Sequence, residues 1–468
     1  MDGSAARITS LETDPPRRLL FRFAMPAVVS MLVISLYNVV DQLFIGHSVG
    51  YLGNAATNIV FPVNLLTIAV SMMIGEGAAA LYSIRLGQKK TEEAKTVIGC
   101  AFMTMAGIGV AFAVACFFVL RPILGFLGAT DVVMPYALDY AGPVLWGIPF
   151  LVCAPGLNGM IRADGSPRYA LFAIGSGAVV NIILNTILIF GLDMGVWGAG
   201  IATAFAQFFG FCISMHYLAV RNRVGLRRRH VRFVPGLAVK ILACGVPASM
   251  AQVSVSVVLV LLNYSLVRYG AASEYGAEIP LAVTGIAIKV NQIFFSILMG
   301  IAIGSQPIIG YNFGAGHYGR VRETFFLCLR AAWCAGLIAS ALFVLFPRGI
   351  IGLFGDGGEL YGEFGVRCFR TFLPLAFLNA LTLPAGAFFQ AMARVRYAVA
   401  IQLVRQVLCM VPLVLVLPHW FGLDGVLLAG PVTDVFAFSL ASVLVVREMG
   451  RLESARGTEL PIVIINPK

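Results

Sequence analysis

One carboxylate, two carboxamides four residues apart and a hydroxyl stand in strongly apolar sequence: Asp41, Asn181, Asn185 and Thr203. Asp41 falls near the far end of the run RLLFRFAMPAVVSMLVISLYNVVDQLFIG, from Arg18 to Gly46. A charge at the centre of a membrane helix costs at least about 2.5–3.5 kcal/mol on insertion scales, so a carboxylate kept there faces protein or water and has a task. Oxygen ligands around one carboxylate suit a proton acceptor or a hard cation such as Na+. A plainer use also exists, because Asn and Thr side chains hydrogen-bond helices together in lipid. For the amides and the hydroxyl both readings stand, whereas the cost of Asp41 favours function.

The elements that must position these groups are membrane helices. With 468 residues, 59% hydrophobic and 12% charged, the chain has too little charge to cover soluble domains of that length. Apolar segments of helix length place twelve spans near 19–45, 57–84, 97–120, 132–161, 169–190, 196–220, 241–269, 280–311, 321–346, 361–392, 397–420 and 425–447. The first is too long for a signal-peptide core and lacks a clear small-residue cleavage site, so it is expected to be retained as a helix.

Basic residues set the orientation. Counting alternate loops, the side holding both termini carries 26 Lys and Arg against five on the other, with Lys289 and Arg405 inside spans. By the positive-inside rule both termini are cytoplasmic, and the net charge of +11 needs no nucleic acid to explain it. Depth then follows at about 1.5 Å per residue. Asp41 lies nineteen residues past Arg22, roughly 28 Å from the inner boundary. Asn181 and Asn185, thirteen and seventeen residues past Arg168, lie roughly 20–25 Å up and share a helix face. Thr203 comes to a similar level in the descending sixth helix. Asn38 joins this convergence in the outer half of the first bundle, while Asn158 is lower unless its helix breaks at Pro149 or Pro155.

The two halves repeat. Pro26 recurs as Pro247, Gly77 and Gly87 as Gly304 and Gly314, Arg168-Tyr169-Ala170 as Arg396-Tyr397-Ala398, and Phe190-Gly191-Leu192-Asp193 as Phe421-Gly422-Leu423-Asp424, at offsets of 221–231. Six spans per unit make the repeats parallel and leave a central cleft between two bundles, a common plan for alternating access. The expected architecture is therefore an all-α membrane protein of twelve transmembrane helices in two pseudo-symmetric six-helix bundles. Its expected divisions are a cytoplasmic segment 1–18, the N-terminal bundle 19–220, a basic linker 221–240, the C-terminal bundle 241–447 and a tail 448–468.

Other buried charges have several uses. Glu76, between Gly75 and Gly77, is either a candidate second acid or a partner for a cationic side chain. Arg405 and Asp434, in adjacent helices, most simply form a structural pair. Lys289 has no obvious acid nearby and is a candidate cleft residue, with Tyr37, Asn38, Gln252 and Asn263 as further cleft or substrate candidates. The nine cysteines fall mostly in apolar runs without C-x-x-C, which reads as packing. No phosphate loop, H-E-x-x-H or Ser-His-Asp set is present, so no cofactor or enzymatic chemistry is expected and an ion gradient must power any transport.

The passages LYNVVDQLFIGHSVG (36–50), RADGSPRYAL (162–171), NIILNTILIFGLDMGVWGAGIATAFAQ (181–207), QPIIGYNFGAGHYGRVRE (306–323) and FGLDGVLLAGPVTD (421–434) resemble the MATE family (multidrug and toxic compound extrusion). The resemblance spans nearly the whole chain and, within the family, looks like the prokaryotic DinF-like group. It implies a V-shaped pair of bundles and export of cationic amphipathic drugs by H+ or Na+ antiport. It also implies an ion site at Asp41, Asn158, Asn181 and Thr203. Where the family pattern in the fifth helix usually reads N-x-x-x-D, this chain has Asn185, so a two-carboxylate site is absent. Coupling then rests on Asp41 alone, on Glu76 as substitute, or is altered. The acids of NorM-like members in the seventh and tenth helices are absent too.

The expected function is a proton-coupled (or Na+-coupled) multidrug exporter of the prokaryotic inner membrane, a monomer whose partners are small cationic compounds and lipid, not nucleic acid. The same-class alternative, a flippase for lipid-linked oligosaccharides, needs a strongly basic cleft, for which only Lys289 and Arg405 are available. A membrane enzyme needs a polar catalytic cluster that is not found, and a receptor predicts no ion-dependent flux.

Overall fold

The computed structural model describes residues 11–49, 51–127, 129–222, 224–276, 278–354 and 358–455, with the side chains at 38, 39, 42, 43, 46–49, 51 and 54 outside that description. Among the described residues, eleven helical segments are long and apolar enough to cross a membrane, and the last, Val395–Ser454, runs for 60 residues. Straight, that segment would reach about 90 Å, three times a hydrocarbon core of roughly 30 Å. It folds back instead. Gly422 takes φ 56° and ψ −134°, a conformation that favours glycine. The two arms lie side by side, with Arg394 Nε 3.3 Å from Glu448 Oε1 and Arg405 Nε 3.7 Å from Asp434 Oδ1.

We label the twelve spans α1 (Pro16–Val49), α2 (Tyr51–Gly87), α3 (Thr91–Phe126), α4 (Met134–Ala163), α5 (Pro167–Gly191), α6 (Gly195–Arg221), α7 (Pro235–Gly270), α8 (Glu278–Gly314), α9 (Tyr318–Leu345), α10 (Glu359–Ala391), α11 (395–416) and α12 (Pro418–Ser454). Most exceed the apolar runs that mark them by a turn or so, because capping and polar residues continue the helix. Pro opens α4, α5 and α7, where its missing N–H costs nothing, and Glu92 and Glu93 occupy the first turn of α3 against the helix dipole. Among the described residues, three stretches widen to π-helix: Thr186–Gly191, Tyr217–Arg221 and Leu403–Met410.

Packing divides the helices into an N-terminal lobe, α1–α6, and a C-terminal lobe, α7–α12. Within the first, α2 packs on α4, α4 on α6, and α5 on α1 and α6. Across the lobes α1 packs on α8 and α2 on α7 and α8. The core is organised accordingly. One apolar cluster spans both lobes at the basic end, where α1 begins and α12 finishes, from Leu19 and Ile84 to Ile308 and Phe388. Two further clusters, around Ile45 and Val144 in one lobe and Phe294 and Phe369 in the other, lie apart towards the far end. The lobes thus share a floor at the basic end and separate above it. Hydrogen bonds between helices of the two lobes reach no further, among the described residues, than Ser35 to Ser296 at 2.7 Å.

Glycine lets the floor close. A Cβ on Gly87 of α2 would stand 2.0 Å from Tyr311 O of α8, and one on Gly314 of α8 would stand 2.2 Å from Ile84 O of α2. Residues 84 and 87 correspond to 311 and 314 at the repeat offset of 227, so the two contacts are images of each other. Gly77 against Gly245 of α7 and Gly304 against Ala24 of α1 form a second such couple, since Ala24 and Gly245 correspond at the α1–α7 offset of 221. Backbones this close exchange weak Cα–H···O contacts and dispersion, the usual adhesive where lipid gives no hydrophobic drive. The segment ahead of α1 fastens to the same floor: Arg320 Nη2 donates to Asp14 O at 2.5 Å and Asn312 Nδ2 to Leu11 O at 3.3 Å.

Candidate functional site

Asp41 sits on the inward side of α1, half-buried, where α1 leans on α5. Asn185 Nδ2 donates to Asp41 Oδ1 at 2.7 Å and to Asn181 Oδ1 at 2.8 Å, and Asn181 Nδ2 reaches Thr203 Oγ1 at 3.5 Å. One chain of polar groups therefore runs from α1 across α5 to α6. The four-residue spacing of the two amides puts them on one helix face, which makes the relay possible. Asn185 is the last α-helical residue before the π-helical stretch Thr186–Gly191, a local widening that recurs at functional sites. Its Oδ1 is buried without a partner.

Two phenols complete the surroundings. Tyr37, one turn before Asp41, and Tyr140 of α4 both face Thr203 and lie within electrostatic reach of Asp41. Tyr140 is nearly fully buried in the apolar cluster of the N-terminal lobe. It was not among the sequence candidates, since an aromatic residue in an apolar helix carries no charge to mark it. Among the described residues no ion pair involves Asp41, and no group of three or more His, Cys, Asp or Glu could hold a metal ion.

The remaining candidates lie elsewhere. Asn158 donates to Ala154 O of its own helix at 3.1 Å, and its Oδ1 has no partner, so no hydrogen bond places it in the Asp41 chain. Glu76 meets a cation: Arg162 Nη2 stands 2.6 Å from its Oε1. That pairing was missed because Arg162 was counted only as a basic residue at the end of α4. Arg405 and Asp434 do pair, and Asn379 Nδ2 adds a 3.0 Å bond to Asp434 Oδ2 while Arg405 lies 5.0 Å over the Phe295 ring. Lys289 is exposed and in no ion pair among the described residues. It lies seven residues before Ser296, on the same side of α8. Gln252 is half-buried in α7, and Asn263 is exposed near the far end of that helix. The Asn38 side chain lies outside the described residues.

Two parallel six-helix lobes, joined at one end and parted at the other, with ionisable groups kept inside each, define a polytopic membrane transporter. The family model described as MatE matches the chain twice, over residues 26–187 and 247–416, and the chain belongs to that family of transporters. MepA of Staphylococcus saprophyticus, described as a multidrug export protein, is 24% identical over 436 residues, covering 91% of this chain and 92% of its own. Its namesake in Staphylococcus haemolyticus is 24% identical over 442 residues, covering 93% and 94%. Among solved structures, a ligand complex of the MATE multidrug transporter DinF-BH is 34% identical, with a TM-score of 0.86 over 93% of this chain and 96% of that one. A MATE in complex with MaD3S shares the fold at 22% identity, with a TM-score of 0.88 over 97% of this chain and 99% of that one.

Proposed function

We propose that this transporter exports cationic amphipathic compounds in exchange for H+ or Na+, with Asp41 as the carboxylate that takes up the coupling ion. The observation that carries the reading is the contrast between the two lobes. Asp434 in the C-terminal lobe faces Arg405, whereas Asp41 accepts a hydrogen bond from an amide and has no cation beside it among the described residues. A desolvated carboxylate without a counter-ion is completed by a proton or a small cation. The similarity to multidrug export proteins supports the substrate class.

Asn185 suits both states of such a site. Its Nδ2 donates to the ionised carboxylate, and rotation of the amide offers Oδ1 as acceptor to the protonated one, so it serves without titrating. Asn181 and Thr203 hold that amide in place. In this reading the basic end faces the cytoplasm of a bacterial inner membrane, following the positive-inside bias. The closed floor then makes the present form outward-open, with residues 19–220 as the coupling unit, 241–447 as the substrate-facing unit, 221–240 as the cytoplasmic linker, and a single chain sufficient. Uptake of an ion from outside neutralises Asp41 and removes its attraction for a bound cation, and release of the ion inside restores it. Exchange of one H+ or Na+ for one monovalent cation moves no net charge, so the ion's concentration gradient supplies the drive, and each tenfold of it, worth ~1.4 kcal/mol, sustains a tenfold substrate gradient.

The test is transport of a cationic dye by purified protein in liposomes, with proton and sodium gradients imposed separately. Flux driven by protons alone supports a single titrating site. Flux driven by sodium alone makes the oxygens of Asp41, Asn181, Asn185 and Thr203 a cation site. No driven flux under either gradient overturns the proposal.

A further inference from the structure

The buried pair of Glu76 and Arg162 lies where the lobes meet, in a different part of the molecule from Asp41. Glu76 comes from α2 and Arg162 from the last turn of α4, and their side chains keep only 10% and 8% exposure. Both belong to the N-terminal lobe, yet part of the wall around them belongs to the other. A small cavity beside the pair is bounded by Ser83 and also by Ile303, Gln306 and Pro307 of α8. Polar atoms without partners gather at this junction: Glu76 Oε2, Ser83 Oγ and Gln390 Nε2. Gln390 Oε1 accepts from Gln306 Nε2 at 3.4 Å, so the C-terminal side of the junction is polar too. Next to Glu76, Gly77 brings α2 against the α7 backbone.

An ion pair under a wall that moves is weighted differently in the two positions of the wall. With the floor closed, each charge is desolvated and tolerable only because it faces the other. With the floor open, each is hydrated and the pair contributes little. We propose that Glu76 and Arg162 form a charge latch on the basic-end gate: the carboxylate is what allows α8 to close over Arg162, and its loss biases the transporter towards the form open at that end. The latch rests on the two-state transport reading but not on the role of Asp41.

Distances between spin labels at Arg168→Cys and Arg396→Cys test it. These are exposed repeat-equivalent positions at the basic ends of α5 and α11. The accessible native thiols Cys212, Cys334 and Cys409 are replaced by serine in the background. E76Q leaves Arg162 covered and uncompensated, and is expected to move the open-to-closed ratio at least about tenfold towards the longer distance. R162M is expected to move it the same way, and E76Q/R162M to bring it back. Melting temperatures are read alongside. A lower melting temperature for E76Q with an unchanged distance distribution makes the pair merely structural and overturns the latch, as does failure of the double variant to restore the short distance. A second distance that appears with substrate or a pH change but ignores E76Q overturns the latch alone. A single distance in every variant and condition overturns it together with the two-state reading.

Discussion

Asp41 of α1 and Asn185 of α5, 144 residues apart in sequence, share a 2.7 Å hydrogen bond. That bond ties the helix facing the other lobe to the interior of its own lobe. A change of charge at Asp41 therefore bears directly on how α1 sits against α5.

Asp41→Asn tests the charge itself. The amide keeps the size and part of the hydrogen bonding, so the variant is expected to insert and to melt within a few degrees of the parent. Gradient-driven efflux is expected to fall to background in liposomes. Retained driven efflux counts against Asp41 as the coupling group.

Asn185→Ala removes the donor that serves both Asp41 and Asn181. Loss of a buried hydrogen-bonding group costs about 1–3 kcal/mol, which a thermal melt resolves. Efflux is expected to drop tenfold or more, while Thr203→Val, at the weak 3.5 Å end of the relay, is expected to cost less. Equal losses in the two variants would show that the order of the chain does not matter.

Asp434→Asn tests the other lobe. Leaving Arg405 buried without its partner is expected to destabilise by about 3–5 kcal/mol, and replacing both groups by apolar ones to recover most of that. The driven flux per folded molecule is expected to survive in R405M/D434L. Loss of coupling in that variant would move the ion site, or part of it, into the C-terminal lobe.

Gly87→Ala and Gly314→Ala probe the floor from its two sides. Alanine is the better helix former by about 1 kcal/mol, so any loss of stability comes from the contact. Each added methyl meets a carbonyl oxygen of the opposite lobe. The two variants are expected to weaken closure to a similar extent, read as a shift towards the longer label distance, and the double variant to do so more strongly. A large effect from only one would contradict the symmetry of the contact.

Much of this arrangement was legible because lipid makes the sequence code simple. Apolar length gave the spans, and a count of residues along α1, α5 and α6 brought Asp41, Asn181, Asn185 and Thr203 to one level. Depth is an axial coordinate, however, and it says nothing about which helix turns a given face to which neighbour. Tyr140 and Arg162 were missed for that reason: one looks like packing, the other like a loop charge. Asn158, read from the family pattern, donates to Ala154 O one turn back in its own helix, and its Oδ1 has no partner. The reversal at Gly422 was legible in outline from the repeated Phe-Gly-Leu-Asp, but the contacts of α11 and α12 depend on a backbone angle that composition does not encode.

The couple formed by Gly87 with Tyr311 and Gly314 with Ile84 is isologous: each half offers the other the same surface. Such an interface is what two separate copies of one six-helix chain would make on forming a twofold dimer. The basic stretch between α6 and α7 therefore joins partners whose surfaces already match, so it sets their proximity and not their fit. Severed there and produced together, the two halves have the complementary faces needed to reassemble.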